Sequence, residues 1–208
     1  FRSTCKGLCR SLEKPGSAMV TTAKRVVRYL IGSKNFGVKY YKKWRTDRLL
    51  DISSSWPPTD PIKQYTDADW AGDTEGSKST AGMILLFNGA AICWYSKTLK
   101  VIALSSQDAE YMALSDGSRE IIFIRQLLET LGFTLQPTEL YGDNNGSLSI
   151  SNNPASHQRT KHIRVRYHFI RQTITNKEVK TVKAPTELQL AGVLTKSLHQ
   201  DQHWFLIN

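Results

Sequence analysis

Three carboxylates in this 208-residue chain stand where a fold could gather them. Asp67 lies in Y-T-D-A-D-W-A-G (65–72), Glu110 in S-S-Q-D-A-E-Y (105–111) and Asp143 in L-Y-G-D-N-N-G (140–146). Their surroundings put Asp67 at the end of one strand, Glu110 in the opening turns of a long helix, and Asp143 at the end of another strand. Such termini converge at one edge of an α/β sheet. Clustered carboxylates repel, and hard cations with oxygen ligands, such as Mg2+, relieve that repulsion. Taken singly, each acid has another reading. Asp143 could cap the helix that follows it. Glu110 could be a first-turn acid favoured by the helix dipole. Asp67 could be a turn residue, since Asp69 and Asp73 crowd the same stretch.

The elements that must position these residues are legible from hydrophobic period and punctuation. Residues 17–32 carry a helical pattern, with Val20, Ala23, Val27, Leu30 and Ile31 on one face, and Gly32 as its stop. A short strand is expected over 37–42. The run S-S-S-W-P-P-T-D-P (53–61) precludes helix and central strand. A strand follows over 62–67, then a hairpin of 80–88 and 90–96 turning at Asn88-Gly89, a pair that supplies positive φ. A long helix spans 105–131, opened by the capping box Ser105-x-x-Asp108 and stopped at Gly132. A strand over 138–141, a helix from about 144, a helix over 164–175 and a strand over 178–184 complete the sheet. Thr186-x-x-Gln189 is a second capping box, opening a helix through 194. The order predicts a mixed sheet with helices on its faces.

Composition agrees. At 40% hydrophobic and 10% aromatic residues, the chain can build a core. No run approaches the roughly 18 apolar residues of a membrane span. Three Cys, an odd number, argue against a disulfide framework. The first residue is Phe and no leader follows it, so the chain reads as a piece of a longer polypeptide. Residues 1–60 hold 13 Lys+Arg against 4 Asp+Glu, net +9. Residues 61–150 hold 6 against 11, net −5, and residues 151–208 hold 9 against 3, net +6. Basic flanks around an acidic centre suit a polyanion outside and metal-binding acids within.

The motifs carry a resemblance. Y-T-D-A-D-W-A-G-D (65–73), S-T-A-G (79–82), S-S-Q-D-A-E-Y-M-A-L (105–114), G-D-N-N (142–145), R-T-K-H-I-x-x-x-Y-H-F-I-R (159–171) and P-T-E-L-Q-L-A-G-V-L-T-K-S-L (185–198) occur in order. Together they resemble the ribonuclease H region of copia-type LTR-retrotransposon Pol polyproteins. K-R-V-V-R-Y-L-I-G-S-K-N-F-G-V-K-Y (24–40) is similar to the end of the reverse transcriptase just upstream. The resemblance implies the ribonuclease H fold, a mixed five-stranded sheet flanked by helices. It implies a division into a reverse-transcriptase remnant (1–52, thumb- or connection-like), a linker (53–61) and a ribonuclease H-like domain (62–208). It implies cleavage of the RNA strand of RNA–DNA hybrids, with two Mg2+ ions (or Mn2+) held by Asp67, Glu110 and Asp143 as catalytic residues. The family's fourth acid belongs in L-A-D-x-x-T-K, and here Gly192 stands in its place.

Other residues point to surface and partners. Lys161, Arg164, Arg166 and Arg171, with Lys24 and Arg28 (beside Arg25), are candidates for binding nucleic-acid phosphates; a solvated face is the plainer reading of such runs. Cys5, Cys9 and the distant His157, His162 and His168 make a poor zinc set. No phosphate-binding G-x-x-x-x-G-K-S/T loop and no Asp-Asp dipeptide occur, so polymerisation is excluded. The expected partners are the hybrid and the reverse-transcriptase portion of the same polyprotein, with no membrane and no small-molecule cofactor. The expected location is intracellular, in a cytoplasmic virus-like particle where the element is active. A decayed module that binds nucleic acid or the polymerase without cutting is the alternative, favoured by Gly192.

Overall fold

The computed structural model describes residues 4, 5, 8, 9, 15–40, 61–72, 78–152 and 161–207. Helix α1 (Ser17–Gly32) precedes the sheet strands β1 (Ile62–Asp69), β2 (Thr80–Phe87) and β3 (Ala90–Thr98). Helix α2 (Ser106–Thr130) leads to β4 (Thr138–Gly142), α3 (Asn145–Asn152), α4 (Lys161–Thr175) and β5 (Val179–Lys183). A 3₁₀ turn (Thr186–Leu188), a one-turn helix α5 (Gly192–Thr195) and α6 (Gln200–Ile207) follow.

The sheet order is β3-β2-β1-β4-β5. The strands β1, β2 and β3 form an antiparallel meander, while β4 runs parallel to β1 and β5 parallel to β4. This is the mixed five-stranded sheet flanked by helices that the motifs imply. Parallel pairing demands a long crossover, and α2 supplies it between β3 and β4. The hairpin turns at Asn88 and Gly89 with φ of 48° and 80°, the doubly positive geometry expected of Asn-Gly.

Side chains alternate across the sheet with period two, building two cores. Ile62, Met83, Leu85 and Leu140 face α2, with Ala109, Met112, Ala113 and Ile121. Tyr65, Tyr141, Ala184, Leu190, Ala191 and Leu206 form the second core on the opposite face. There the Tyr65 and Tyr141 rings, on neighbouring strands, stack with centroids 4.6 Å apart. Helix α2 starts at Ser105, whose hydroxyl accepts from the Asp108 amide at 3.1 Å. It ends where Gly132, at φ +88°, lets the Phe133 amide reach the Leu128 carbonyl. Within the helix, buried Asp116 is held by Arg166 at 2.7 Å and Lys97 at 3.1 Å.

Two expectations are corrected. The 186–194 helix is broken: Pro185 rather than Thr186 occupies the cap, Gln189 turns extended, and the chain restarts as α5 at Gly192. Gly192 is therefore a first-turn residue, where glycine costs less than in a helix interior. Residues 37–40 form no strand, and 41–42 lie outside the described residues, as do the linker's 53–60 and His157. Helix α1 leaves its aliphatic face exposed, with Val27 54% and Ile31 65% accessible. Met19, Thr22, Val26, Tyr29 and Ser33 are its half-buried stripe. Tyr29 stacks on Trp204 of α6 at 6.1 Å and its hydroxyl meets His203 at 3.3 Å. Trp204 also receives the edge of Phe36 at 5.5 Å. Aromatic contact with α6 thus outweighs the simple aliphatic stripe. The final helix α6 has no counterpart among the sequence expectations.

A buried polar group gives a first prediction. Gln64 in β1 is fully buried, and neither atom of its amide finds a hydrogen bond among the described residues. Gly117 leaves it room, since a Cβ there would lie 2.3 Å from the Gln64 Nε2. An unmade buried hydrogen bond costs about 1–3 kcal/mol, so Gln64→Met, similar in shape, should stabilise the fold by about 1 kcal/mol. For a chain of this size that is a rise in Tm of roughly 2–4 °C, readable by calorimetry.

Candidate metal centre

The three acids meet. One carboxylate oxygen each from Asp67, Glu110 and Asp143 lie within 4.8 Å of one another. They arrive from three elements: Asp67 from β1, Glu110 from the second turn of α2, and Asp143 from the residue just after β4. The placement follows from pairing. Parallel register between β1 and β4, with Tyr65 opposite Tyr141, brings both carboxyl-terminal strand ends to the same edge. Helix α2 begins over that edge, and its Glu110 carboxylate accepts from the Ala68 amide at 3.1 Å.

Burial and repulsion shape the protonation of the cluster. Asp67 is fully buried and Glu110 is 6% exposed. Burial, then the charges of Asp67 and Asp143, push the Glu110 carboxyl up to about 9. Burial and Asp67 also raise Asp143 above the usual carboxylate range. Opposing charge comes from the C-terminal segment. The Thr195 hydroxyl donates to Asp67 Oδ2, and the Lys196 ammonium lies 3.3 Å from Asp67 Oδ1. The Lys183 ammonium donates to the Asp143 backbone carbonyl.

Helix α5 reaches Asp67 because of a glycine. Gly82 of β2 pairs directly with Asp67, and a Cβ on it would lie 2.7 Å from Thr195 Cγ2 and 3.0 Å from the Ala191 carbonyl oxygen. Only a residue without a side chain lets α5 lie this close to the sheet. Gln189 fastens the same segment, its Nε2 donating to the Thr66 carbonyl at 3.0 Å. Thr195 and Lys196 were missed as site residues by sequence reasoning. Their signal was present in the Thr-Lys pair that closes L-A-G-V-L-T-K.

The donor set suits a hard divalent cation. Every candidate ligand is a carboxylate oxygen, and their mutual spacing is what ligand bonds of about 2.0–2.6 Å to shared ions produce. Among the described residues no sulfur or imidazole joins the cluster, and an all-carboxylate set suits a harder cation than zinc. Gly192 has open space beside it, with only Lys196 Cε in ordinary contact at 3.5 Å from a Cβ placed there.

A pH prediction follows from Glu110. Without metal, its folded state holds a proton that the unfolded chain releases near 4.5. That contribution to stability is whole below about pH 4.5 and fades as pH climbs to 9. A metal ion must expel the proton. Divalent-cation affinity should therefore rise by up to about tenfold per pH unit between these limits, with close to one proton released at neutral pH. Calorimetry in buffers of differing ionisation enthalpy reads the released proton.

The basic candidates separate. Arg166 is an anchor, its guanidinium spent on Asp116 and on the Met112 carbonyl at 3.3 Å. Arg171 Nη2 donates to the Ile150 carbonyl at 3.5 Å. Lys161 and Arg164 lie in the first turn of α4, and Lys24 and Arg28 are exposed on α1.

The chain has relatives of known kind. It is 38% identical over 188 residues to a retrovirus-related Pol polyprotein from transposon TNT 1-94 of Nicotiana tabacum, covering 90% of this chain and 13% of that protein. It is 36% identical over 192 residues to the corresponding polyprotein from transposon RE1 of Arabidopsis thaliana, covering 92% of this chain and 12% of that one. The chain thus spans about an eighth of the length of these relatives. Among solved structures, the LC11 ribonuclease H1 isolated from compost aligns at 15% identity, with 66% of this chain and 94% of that chain covered and a TM-score of 0.49. No family model matches the chain. By sequence it belongs with the retrovirus-related Pol polyproteins of plant transposons, as the counterpart of one segment of them.

Proposed function

We propose that this chain is the ribonuclease H portion of such a polyprotein, with the end of the reverse transcriptase before it, and that it hydrolyses the RNA strand of RNA–DNA hybrids. The convergence of Asp67, Glu110 and Asp143 within 4.8 Å carries the reading. These three would hold the divalent cations, Mg2+ by preference and Mn2+ in its place. When bound, such ions supply charge stabilisation for in-line displacement at phosphorus. The protein's own contribution is orientation. Thr195 and Lys196 fix the Asp67 carboxylate, the Ala68 amide fixes Glu110, and the β4 end presents Asp143. The exposed Lys24 and Arg28 of α1, with Arg171 and the Lys161 and Arg164 positions at the start of α4, would supply the sequence-blind positive charge that a hybrid backbone needs.

The proposed division into 1–52, 53–61 and 62–208 treats α1 as the polymerase remnant. Its exposed apolar residues Val20, Val27 and Ile31 fit contact with the reverse-transcriptase portion of the polyprotein. Among the described residues no helix is long and apolar enough to cross a membrane. The transposon relatives support an intracellular site of action, inside a cytoplasmic particle where the element is active.

The test is an end-labelled RNA–DNA hybrid incubated with the protein and Mg2+. Cleavage confined to the RNA strand, abolished by EDTA and absent on duplex DNA, is the expected result. Hybrid binding without cleavage would favour the second reading, a polymerase-associated module that has lost activity. Gly192 at the fourth-acid position is the observation that favours that reading.

A further inference from the structure

The segment that ought to add a fourth negative charge to the site lacks the acid and brings only a positive one. Lys196 caps the C-terminal end of α5 and reaches back across the turn to Asp67, its ammonium 3.3 Å from Oδ1. Asp143 and Glu110 lie near enough that their charges, after that of Asp67, also favour the ammonium form. Its side chain is 37% exposed against 0% for Asp67, so it covers the cluster from the solvent side.

Gly192 makes this arrangement possible. It stands one turn before Lys196 on the same short helix, and a Cβ there would lie 3.5 Å from Lys196 Cε. An acidic side chain at 192 would grow alongside the lysine stem and compete with Asp67 for its ammonium. With glycine there, the lysine has no such rival and lies on Asp67.

The charges then decide the ion count. Three ionised carboxylates carry −3, and the resident ammonium leaves −2. One divalent cation neutralises the cluster. A second would leave a surplus of +2 in a site where two of the three ligands are buried, a costly state. We infer that this chain's centre takes a single divalent cation, with the Lys196 ammonium standing as the second positive charge. The inference rests on the metal-binding reading above and changes its stoichiometry. Lys196 is a positioning residue here: it orients Asp67 and excludes an ion, and it is not itself a ligand.

Isothermal titration with Mn2+ tests this on the full chain, with Asp67→Asn as the baseline for ions bound elsewhere. The expected result is one ion above baseline for the parent chain and for Lys196→Arg. Lys196→Gln and Lys196→Met should bind a second ion and hold the first about tenfold more tightly or better. Electron paramagnetic resonance gives an independent reading. Mn2+ in the parent should show an isolated-ion spectrum, and in Lys196→Gln the broadened spectrum of a coupled pair. Two ions in the parent overturn the inference while leaving the metal reading intact, and this needs no variant to fold. Unchanged stoichiometry and affinity in folded Lys196→Gln and Lys196→Met overturn it as well. If the parent and both variants melt cooperatively yet bind nothing above baseline, the metal reading falls and takes the inference with it.

Discussion

Replacing Asp67 by Asn is expected to remove metal-dependent behaviour altogether while leaving the fold intact. Asp67 is the one acid that touches everything else in the site: Thr195, Lys196, and the repulsion that raises both Glu110 and Asp143. Asn keeps the shape and can still accept from Thr195. It relieves like-charge repulsion, and Lys196, 37% exposed on its side chain, can turn to water. The metal-free Tm should therefore not fall. The rise in Tm that Mg2+ or Mn2+ gives the parent chain should vanish, because a ligand stabilises only the state that binds it. Hybrid cleavage should drop by on the order of 10³ or more, as expected when a group acting within a catalytic unit is removed. A variant that still melts higher with metal would show that Asp67 is not a ligand. Paired thermal melts with and without Mn2+, run beside the cleavage assay, give both answers.

Gly82→Ala is expected to damage the site from the neighbouring strand, on the same face as Asp67. The added methyl would meet Thr195 Cγ2 at 2.7 Å, the Ala191 carbonyl at 3.0 Å and Leu194 Cβ at 3.0 Å, and the last two are fixed to the backbone and cannot swing away. Overpacking of this kind costs about 1–3 kcal/mol, a loss in Tm of roughly 2–12 °C at this size. Helix α5 must move outward, and Thr195 and Lys196 move with it, away from Asp67. Metal affinity and cleavage should change together with stability. Gly192→Ala, a few residues away, is the contrast. Its methyl meets only Lys196 Cε at 3.5 Å, so the melt should hold or rise by a degree or two. Equal losses in the two variants would mean that the close approach of α5 at Gly82 is not what seats the site.

Much of this was legible in the residues. Asn88-Gly89, Ser105 with its capping position and Gly132 each dictate a local conformation, and each holds in the structure. The convergence of the three acids was legible because strand ends share an edge whatever the side chains between them. What was not legible depended on contacts between distant segments. Helix α1 turned its Tyr29 stripe inward because Trp204 waits at the far end of the chain, which no local period reveals. The 186–194 stretch breaks at Gln189 because its side chain is drawn to the Thr66 carbonyl, overriding a helical pattern. Arg166 looked like a surface cation until α4 was laid beside Asp116. Lys196 is the sharpest case: its charge suggests repulsion of a metal or attraction of phosphate, and only the fold shows it on Asp67.

The clasp between α1 and α6 also sets a timetable. Tyr29 and His203 are 174 residues apart, and closing a loop of that length costs about 4–5 kcal/mol of chain entropy before any contact repays it. The meander β1–β3 forms from neighbours, but the contacts of Tyr29 with His203 and Trp204 wait for α6. During synthesis at about 5–20 residues per second, that interval lasts roughly 9–35 s. Through it, Tyr29 lacks its ring contacts with α6, while the Val27 and Ile31 face stays exposed before and after. A nascent chain interrupted before Trp204 would therefore leave Tyr29 and Phe36 without that ring, and proteases and chaperones would meet α1 in that form first.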